Sequence, residues 1–108
     1  MKEFIHYPEE MIWRELQEFP GKGEVTVLRE EDKCGAKTII VRLPAGGQIM
    51  PHSHIAAVQH YVLEGEYETQ GKTLGQGAYR LLPKHADVST ISSKKGVTIL
   101  MIYDAGLE

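Results

Sequence analysis

The chain has one cysteine, Cys34, so no disulfide bond can form within it. It also lacks a basic excess, since 12 Lys and Arg residues against 15 Asp and Glu residues give a formal net charge of -3, which argues against a nucleic-acid-binding module. No apolar run approaches the ~20 residues that span a bilayer, and the first residues lack the apolar core of a signal peptide. We therefore expect a soluble, cytoplasmic protein with no nucleic-acid partner and no membrane partner.

Internal repeats, low-complexity tracts and linkers are also missing, and 108 residues suffice for one domain but not for two. The only helical pattern lies within residues 1–20, where Pro8 suits a first helical position and apolar residues follow at roughly helical spacing. This pattern is short and stops at Pro20 and Gly21. We predict an N-terminal arm or short helix over residues 1–20 and a β-barrel over residues 21–108, within a single domain.

Short β-branched segments separated by glycine or polar residues make up the rest of the chain. The predicted strands are residues 24–29, 36–43, 58–64, 67–70, 78–83, 88–91 and 97–103. Such segments without a second helical pattern predict an all-β fold, an antiparallel sandwich or a small barrel. Residues 38–43 and 97–103 are apolar at nearly every position, so we expect both faces of these strands to be covered. A partner subunit is one expected cover, which predicts a homodimer.

Histidines form the most informative cluster, because His52, His54 and His60 fall within nine positions. Residues two apart on an extended segment point to the same face, so His52 and His54 are expected to converge. Two neutral imidazoles make half of a first-row transition-metal site, and iron, zinc, manganese, nickel and copper are all compatible with them. The alternative interpretation is a pair of exposed loop histidines that follow Pro51.

Residues 44–54 and 61–66 resemble the first motif of the cupin superfamily. That motif has a glycine, five residues, the HxH pair, an acidic ligand and a strand that ends in glycine, and Gly46 stands in the expected register. Residues 77–83 resemble the opening of the second motif, with a glycine, five residues and a proline. The resemblance covers residues 36–104 and implies a double-stranded β-helix, a jelly roll with its site inside.

Two departures from the cupin pattern concern the metal ligands. The acidic ligand of the first motif is expected at position 58 or 59, which here hold Val58 and Gln59, and His60 follows two residues after Val58 on the same strand face. In the second motif, Val88 occupies the position expected for histidine, and His85 lies nearer to the motif's proline. A shifted turn before Val88 would still bring His85 to the metal.

Loss of the acidic ligand beside an intact histidine pair resembles the ChrR-like cupin branch. Some members of that branch are C–C-cleaving dioxygenases for diketones or aryl ketones, with iron held by three histidines, and others are zinc-binding regulatory domains. The resemblance implies one transition metal ion per chain, with Fe(II) favoured. The expected metal ligands are His52, His54, His85 and His60, and the expected substrate-pocket residues are Gln59, Val58 and Val62.

Three functional hypotheses follow from these residues. The leading hypothesis is a metal-dependent cupin that acts on a small molecule, as an Fe(II) dioxygenase of the diketone or aryl-ketone type. The second is a non-catalytic module that binds a metal or a small ligand as a sensor. The third is a metal-independent isomerase that uses His52 as a base, because this fold hosts many activities. Metal content separates the third hypothesis from the others, and oxygen consumption separates the first from the second.

Overall fold

A computed structural model describes residues 2–16, 23–31 and 33–106 of the chain. Consecutive β-strands are its main elements. Within this part of the chain, a 3-10 helix at Pro8–Glu10 precedes the strands. The strands are β1 (Arg14–Glu15), β2 (Glu24–Glu30), β3 (Lys37–Leu43), β4 (Gln48–Ile49), β5 (His52–Ser53), β6 (Val58–Thr69), β7 (Lys72–Gly75), β8 (Tyr79–Leu82), β9 (Asp87–Val88), β10 (Ile91–Ser92) and β11 (Val97–Tyr103). None of the helices in these residues has the length and apolar character that a membrane span requires.

The N-terminal segment forms one 3-10 turn and a short strand instead of an α-helix. Pro8 begins the turn as expected, but the backbone is already extended at Met11, and β1 then pairs with β2. A short helix needs burial of an apolar face to repay its nucleation cost, and Ile12 remains 77% exposed. Residues 17–20 of the predicted segment lie outside the described residues.

Two antiparallel sheets share the long strand β6. The larger sheet has the order β1-β2-β3-β11-β6, with β8 on the other side of β6. The C-terminal part of β6 pairs with β7 and β10, and β10 pairs with β4. β5 and β9 form a separate antiparallel pair. This arrangement is the jelly roll, or double-stranded β-helix, that the cupin resemblance implied, so the predicted fold is confirmed.

Gly65 lies inside β6, where the sequence pattern predicted a break between two strands. Its φ of 77° is in the left-handed region, and a Cβ at this position would overlap the backbone carbonyl of Gly96. The register between β6 and β11 also shifts beside it, between Thr98 and Ile99. A glycine at this position lets one strand bend and serve both sheets.

Alternating residues of the large sheet build the core. Val58, Val62 and Ile99 are almost completely buried, and Tyr67 joins them from the second half of β6. Burial of each such side chain contributes roughly 1.5–3 kcal/mol relative to an exposed position. Because His60 follows Val58 by two residues, the same alternation carries its imidazole into the interior, where it is only 3% exposed.

Candidate metal and ligand site

A cavity of about 290 Å³ opens between the inward faces of the strands. Its apolar walls include Val25, Val27, Ile39, Val41, Ile49 and Met101. Its polar lining consists of Lys37, His52, His60 and Tyr103, with Arg14, Glu15 and Glu30. The cavity therefore combines apolar walls with a few polar groups, which is the usual composition of a small-molecule site.

Two inward-facing rows of residues run across the sheet and bring the polar groups together. In the first row, Met101 lies opposite both Ile39 and His60, and His60 lies opposite Arg80. In the next row, Lys37 lies opposite both Glu30 and Tyr103. A β-bulge in β2 between Val27 and Arg29 shifts the register, so Val27 and Glu30 both line the cavity although they are three positions apart, an odd spacing that would place them on opposite faces of a regular strand.

His52 and His54 lie side by side, as their spacing predicted. Their rings meet edge to face with centroids 4.6 Å apart, and the His54 ring lies 5.3 Å from the Tyr103 ring. Nδ1 of His52 lies 2.8 Å from the carbonyl oxygen of Met50. A carbonyl oxygen only accepts, so in the neutral ring Nδ1 carries the proton and Nε2 carries the lone pair. His52 is thus in the tautomer that coordinates a metal through Nε2.

His54 is held neutral at ordinary pH by its surroundings. Partial burial lowers its pKa, and the nearby His52 and Lys37 lower it further. A neutral imidazole is the protonation state that a metal ligand requires. The Lys37 ammonium also contacts Tyr103, with its Nζ 4.7 Å from the centroid of the Tyr103 ring.

His60 belongs to a buried polar chain that begins at the cavity wall. Its Nδ1 lies 3.0 Å from the hydroxyl oxygen of Tyr67. The Arg80 guanidinium, opposite His60 on β8, acts electrostatically on the same hydroxyl, and its Nη1 is buried with no hydrogen-bond partner among the described residues. Burial lowers the pKa of His60 to about 3, with further contributions from Arg80, His54 and His52. Burial also raises the pKa of Tyr67, which therefore keeps its proton at neutral pH.

The backbone of His85 is hydrogen-bonded to the backbone of His54, but His85 does not line the cavity. Its backbone N–H donates to the carbonyl oxygen of His54 at 3.0 Å, which extends the pairing of β5 with β9. The residue is exposed and has a φ of 65°, a left-handed conformation that is uncommon for non-glycine residues. Across residues 2–16, 23–31 and 33–106, no group of three or more His, Cys, Asp or Glu side chains is arranged to hold a metal ion.

Comparison with known proteins identifies the family. Residues 1–105 match the family model described as the ChrR cupin-like domain. The chain belongs to the ChrR-like cupins. No curated protein matches it in sequence.

Solved structures of low sequence identity share the fold of this cupin. An acetylacetone dioxygenase from Acinetobacter johnsonii aligns with a TM-score of 0.80 at 16% identity, over 95% of this chain and 74% of that one. A chain in the complex of SigE with the anti-sigma ChrR from Rhodobacter sphaeroides aligns with a TM-score of 0.74 at 19% identity, over 91% and 51%. An RmlC-like cupin from Shewanella frigidimarina aligns with a TM-score of 0.76 at 18% identity, over 94% and 90%.

The three residues expected in the substrate pocket of this cupin do not line the cavity. Gln59 lies on the outer face of β6, where its side-chain oxygen accepts a 2.7 Å hydrogen bond from the Tyr79 hydroxyl. Val58 and Val62 are 0% and 1% exposed within the core and do not line the cavity. Strand alternation explains the outward position of Gln59, since Val58 and His60 on either side of it point inward.

The donor set of this cupin fits half of a transition-metal site. His52 and His54 supply two adjacent imidazoles, and the carbonyl of Met50 orients His52 through the nitrogen that does not coordinate. A third protein donor does not join them in the described residues.

Lys37 and Tyr103 are site residues to which sequence reasoning gave no role. The sequence did contain a signal for both residues. Lys37 lies two positions from Ile39 on β3, and Tyr103 lies two positions from Met101 on β11, so each is on the inward face of its strand. An ionisable or hydroxyl-bearing residue at an inward position of an apolar strand is the feature that would have identified them.

Proposed function

We propose that this protein is a metal-dependent cupin that acts on a small anionic molecule with two oxygen ligands, as a dioxygenase of the diketone or aryl-ketone type. The observation that carries the proposal is the adjacency of His52 and His54, whose rings lie 4.6 Å apart, with His52 and His60 facing the same apolar cavity. The fold of the acetylacetone dioxygenase from Acinetobacter johnsonii supports the same class.

One transition metal ion per chain, Fe(II) in this proposal, binds His52 and His54. His85 is the proposed third ligand, because its backbone already bonds to His54. Neutral histidine ligands leave a divalent site with net positive charge, and such a metal supplies Lewis acidity and, as Fe(II), reactivity toward O2. Val58 occupies the position of the usual acidic ligand, so that position adds no negative charge to the metal ion.

The chain's own residues bind and enclose the proposed substrate. The Lys37 ammonium lies in the cavity near the histidine pair and attracts an anionic oxygen. Apolar walls such as Ile39 and Met101 exclude water, which strengthens this attraction because the local dielectric is low. Lys37 therefore binds and orients the substrate, and the apolar walls keep the cavity dry.

A non-catalytic sensor module is the second candidate function. The observation that favours it is the shared fold with a chain from the complex of SigE with the anti-sigma ChrR, although this chain spans about half of that one. The same cavity would then bind a metal or a small ligand without turnover. A cytoplasmic location is part of both proposals. The single cysteine, Cys34, is a free thiol that donates a hydrogen bond to the Glu31 carboxylate.

We also propose that the protein is a homodimer. The outer face of β6 and β8 carries four large apolar side chains that are 38–57% exposed: Tyr61, Leu63, Tyr79 and Leu81. Tyr61 and Tyr79 lie directly opposite each other, so this outer patch is continuous across the two strands. A patch of a few hundred Å² can form the centre of an interface, and a second copy related by twofold symmetry presents the same apolar surface to it.

The decisive experiment measures oxygen uptake by the Fe(II)-loaded protein with a panel of β-diketones and aryl ketones. Uptake above a free-iron control, lost in the His52→Ala/His54→Ala variant, is the expected result. A His6→Ala variant serves as the matched control, because His6 lies outside the cavity and bonds to the carbonyl of Leu28. Stoichiometric metal without uptake across the whole panel would favour the sensor module.

A further inference from the structure

The proton of the Tyr67 hydroxyl has a single destination in the described part of the chain. Tyr67 is 0% exposed, so its hydroxyl has no access to bulk water. Its two polar neighbours are Nδ1 of His60, at 3.0 Å, and the guanidinium of Arg80. Arginine carries only donors and cannot accept the hydroxyl proton, so the hydroxyl donates its proton to Nδ1 of His60. The reverse arrangement would leave a buried hydroxyl proton without an acceptor among the described residues, which is unfavourable.

This arrangement determines the tautomer of His60. A neutral imidazole has one protonated nitrogen, and an Nδ1 that accepts a hydrogen bond carries the lone pair, so Nε2 carries the proton. His60 also lines the cavity, and no hydrogen bond to its Nε2 occurs within the described ranges of the chain. The cavity wall thus contains an N–H donor that has no acceptor among the described residues.

His52 and His60 therefore have opposite hydrogen-bonding polarity in the same cavity. His52 donates through Nδ1 to Met50, which places its lone pair on Nε2, while His60 accepts through Nδ1 from Tyr67, which places its proton on Nε2. A lone pair suits a metal ion, and an N–H suits an oxygen that carries negative charge.

We propose that Arg80 and Tyr67 are positioning residues that keep His60 in the Nε2–H tautomer, so that His60 binds an acceptor oxygen of a small ligand in the cavity and is not a metal ligand. The ligand class is an anion or polarised carbonyl compound, such as an enolate or a carboxylate. Lys37 lies in the same cavity and supplies the complementary positive charge. The ligand assignment deepens the proposed function and rests on it, whereas the tautomer assignment stands independently of any metal.

The first experiment determines the tautomer by nitrogen-15 NMR of metal-free protein labelled at histidine, with His60 assigned by its loss in His60→Gln. The expected result is a protonated Nε2 and an unprotonated Nδ1 for His60. In Tyr67→Phe the preference should weaken, with population of the Nδ1–H form. The matched control is Tyr79→Phe, which removes a hydroxyl that bonds to Gln59 on the outer face and should leave the His60 spectrum unchanged. A predominant Nδ1–H form in the unmutated protein overturns the proposal.

The second experiment adds Zn²⁺ alone and acetylacetone alone to the same labelled protein. The proposal expects Zn²⁺ to shift the His52 and His54 signals while the Nε2 proton of His60 persists. It expects acetylacetone to shift the Nε2 signal of His60, and Tyr67→Phe to weaken that binding about fivefold or more while Tyr79→Phe does not. Loss of the Nε2 proton on Zn²⁺ binding overturns the donor assignment. Absence of a His60 shift at saturating acetylacetone overturns the ligand assignment. Failure of Zn²⁺ to bind contradicts the proposed function but leaves the tautomer result standing.

Discussion

The imidazole of His52 meets that of His54 edge to face, with the ring centroids 4.6 Å apart, although strand β5 includes only the first of them. The pairing of β5 with β9 and the hydrogen bond to Met50 hold His52 in place. Burial and the neighbouring His52 lower the pKa of His54, which favours the neutral form of its ring. Two such rings at this separation are the strongest basis for a metal site in this cupin.

Removal of this pair should abolish stoichiometric metal binding. The His52→Ala/His54→Ala variant is expected to lose at least about 100-fold in affinity for Fe(II) or Zn²⁺, because it loses both adjacent imidazole donors. Elemental analysis after dialysis against a weak chelator measures the loss, and His6→Ala should keep one metal ion per chain. Retention of one ion by the double variant would show that the site lies elsewhere.

Substitution of Gly65 should destabilise the fold more than substitution of another glycine with the same backbone conformation. Gly65 and Gly71 have φ values of 77° and 75°, so Ala at either position incurs a left-handed penalty of about 1 kcal/mol. Only at Gly65 would the new Cβ also overlap a backbone carbonyl, that of Gly96, whereas the space around Gly71 is open. Urea unfolding should therefore show Gly65→Ala to be less stable than Gly71→Ala by about 2 kcal/mol or more. Equal losses in the two variants would contradict the close approach of the strands.

Stability should fall as the pH is lowered from about 6.5 toward 3. His60 has a pKa of about 3 in the folded protein, against 6.5 as its ordinary value. The unfolded chain therefore binds a proton in this range that the folded chain does not, and linkage makes unfolding easier at lower pH. His60 contributes a slope of up to about 1.4 kcal/mol per pH unit, and the lowered pKa of His54 acts in the same direction.

Urea unfolding at a series of pH values measures this slope. His60→Gln should flatten the profile over the same range, and His6→Ala should leave the profile unchanged. If His60→Gln does not fold, NMR titration of His60 in the unmutated protein replaces it, and protonation near pH 6.5 would contradict the assignment.

The outer patch should mediate dimer formation. Light scattering at micromolar concentration is expected to give twice the chain mass of 12.1 kDa. Leu81→Lys introduces a charge into the patch and should shift the protein to monomer. Ile12→Lys is the matched control, since Ile12 is 77% exposed and lies in the N-terminal segment outside the patch. A monomer mass for the unmutated protein would reject the dimer.

Much of the fold was predictable because each strand corresponds to an apolar or alternating pattern within a short segment of the sequence. Residues 97–103 and 58–64 alternate or run apolar, and the structure contains strands there, although it continues β6 through Gly65 up to Thr69. Of the two predicted forms of residues 1–20, an arm or a short helix, the described residues form an arm with one 3-10 turn, because helical spacing alone does not supply a face to pack against. The pairing of His52 with His54 could be anticipated from a spacing of two, since this requires only an extended backbone.

The sequence by itself determined the all-β class, the cupin motifs and the histidine pair, because each depends on residues close together in the chain. Only the tertiary structure decided what His60 contacts. Tyr67 follows it by seven residues, beyond the bend at Gly65, and Arg80 reaches it from another strand. The bend and the register of β6 with β8 together determine which polar groups meet inside the barrel. Spacing along the chain carries no information about such pairings, because they arise from hydrogen bonds between strands and from the exclusion of water.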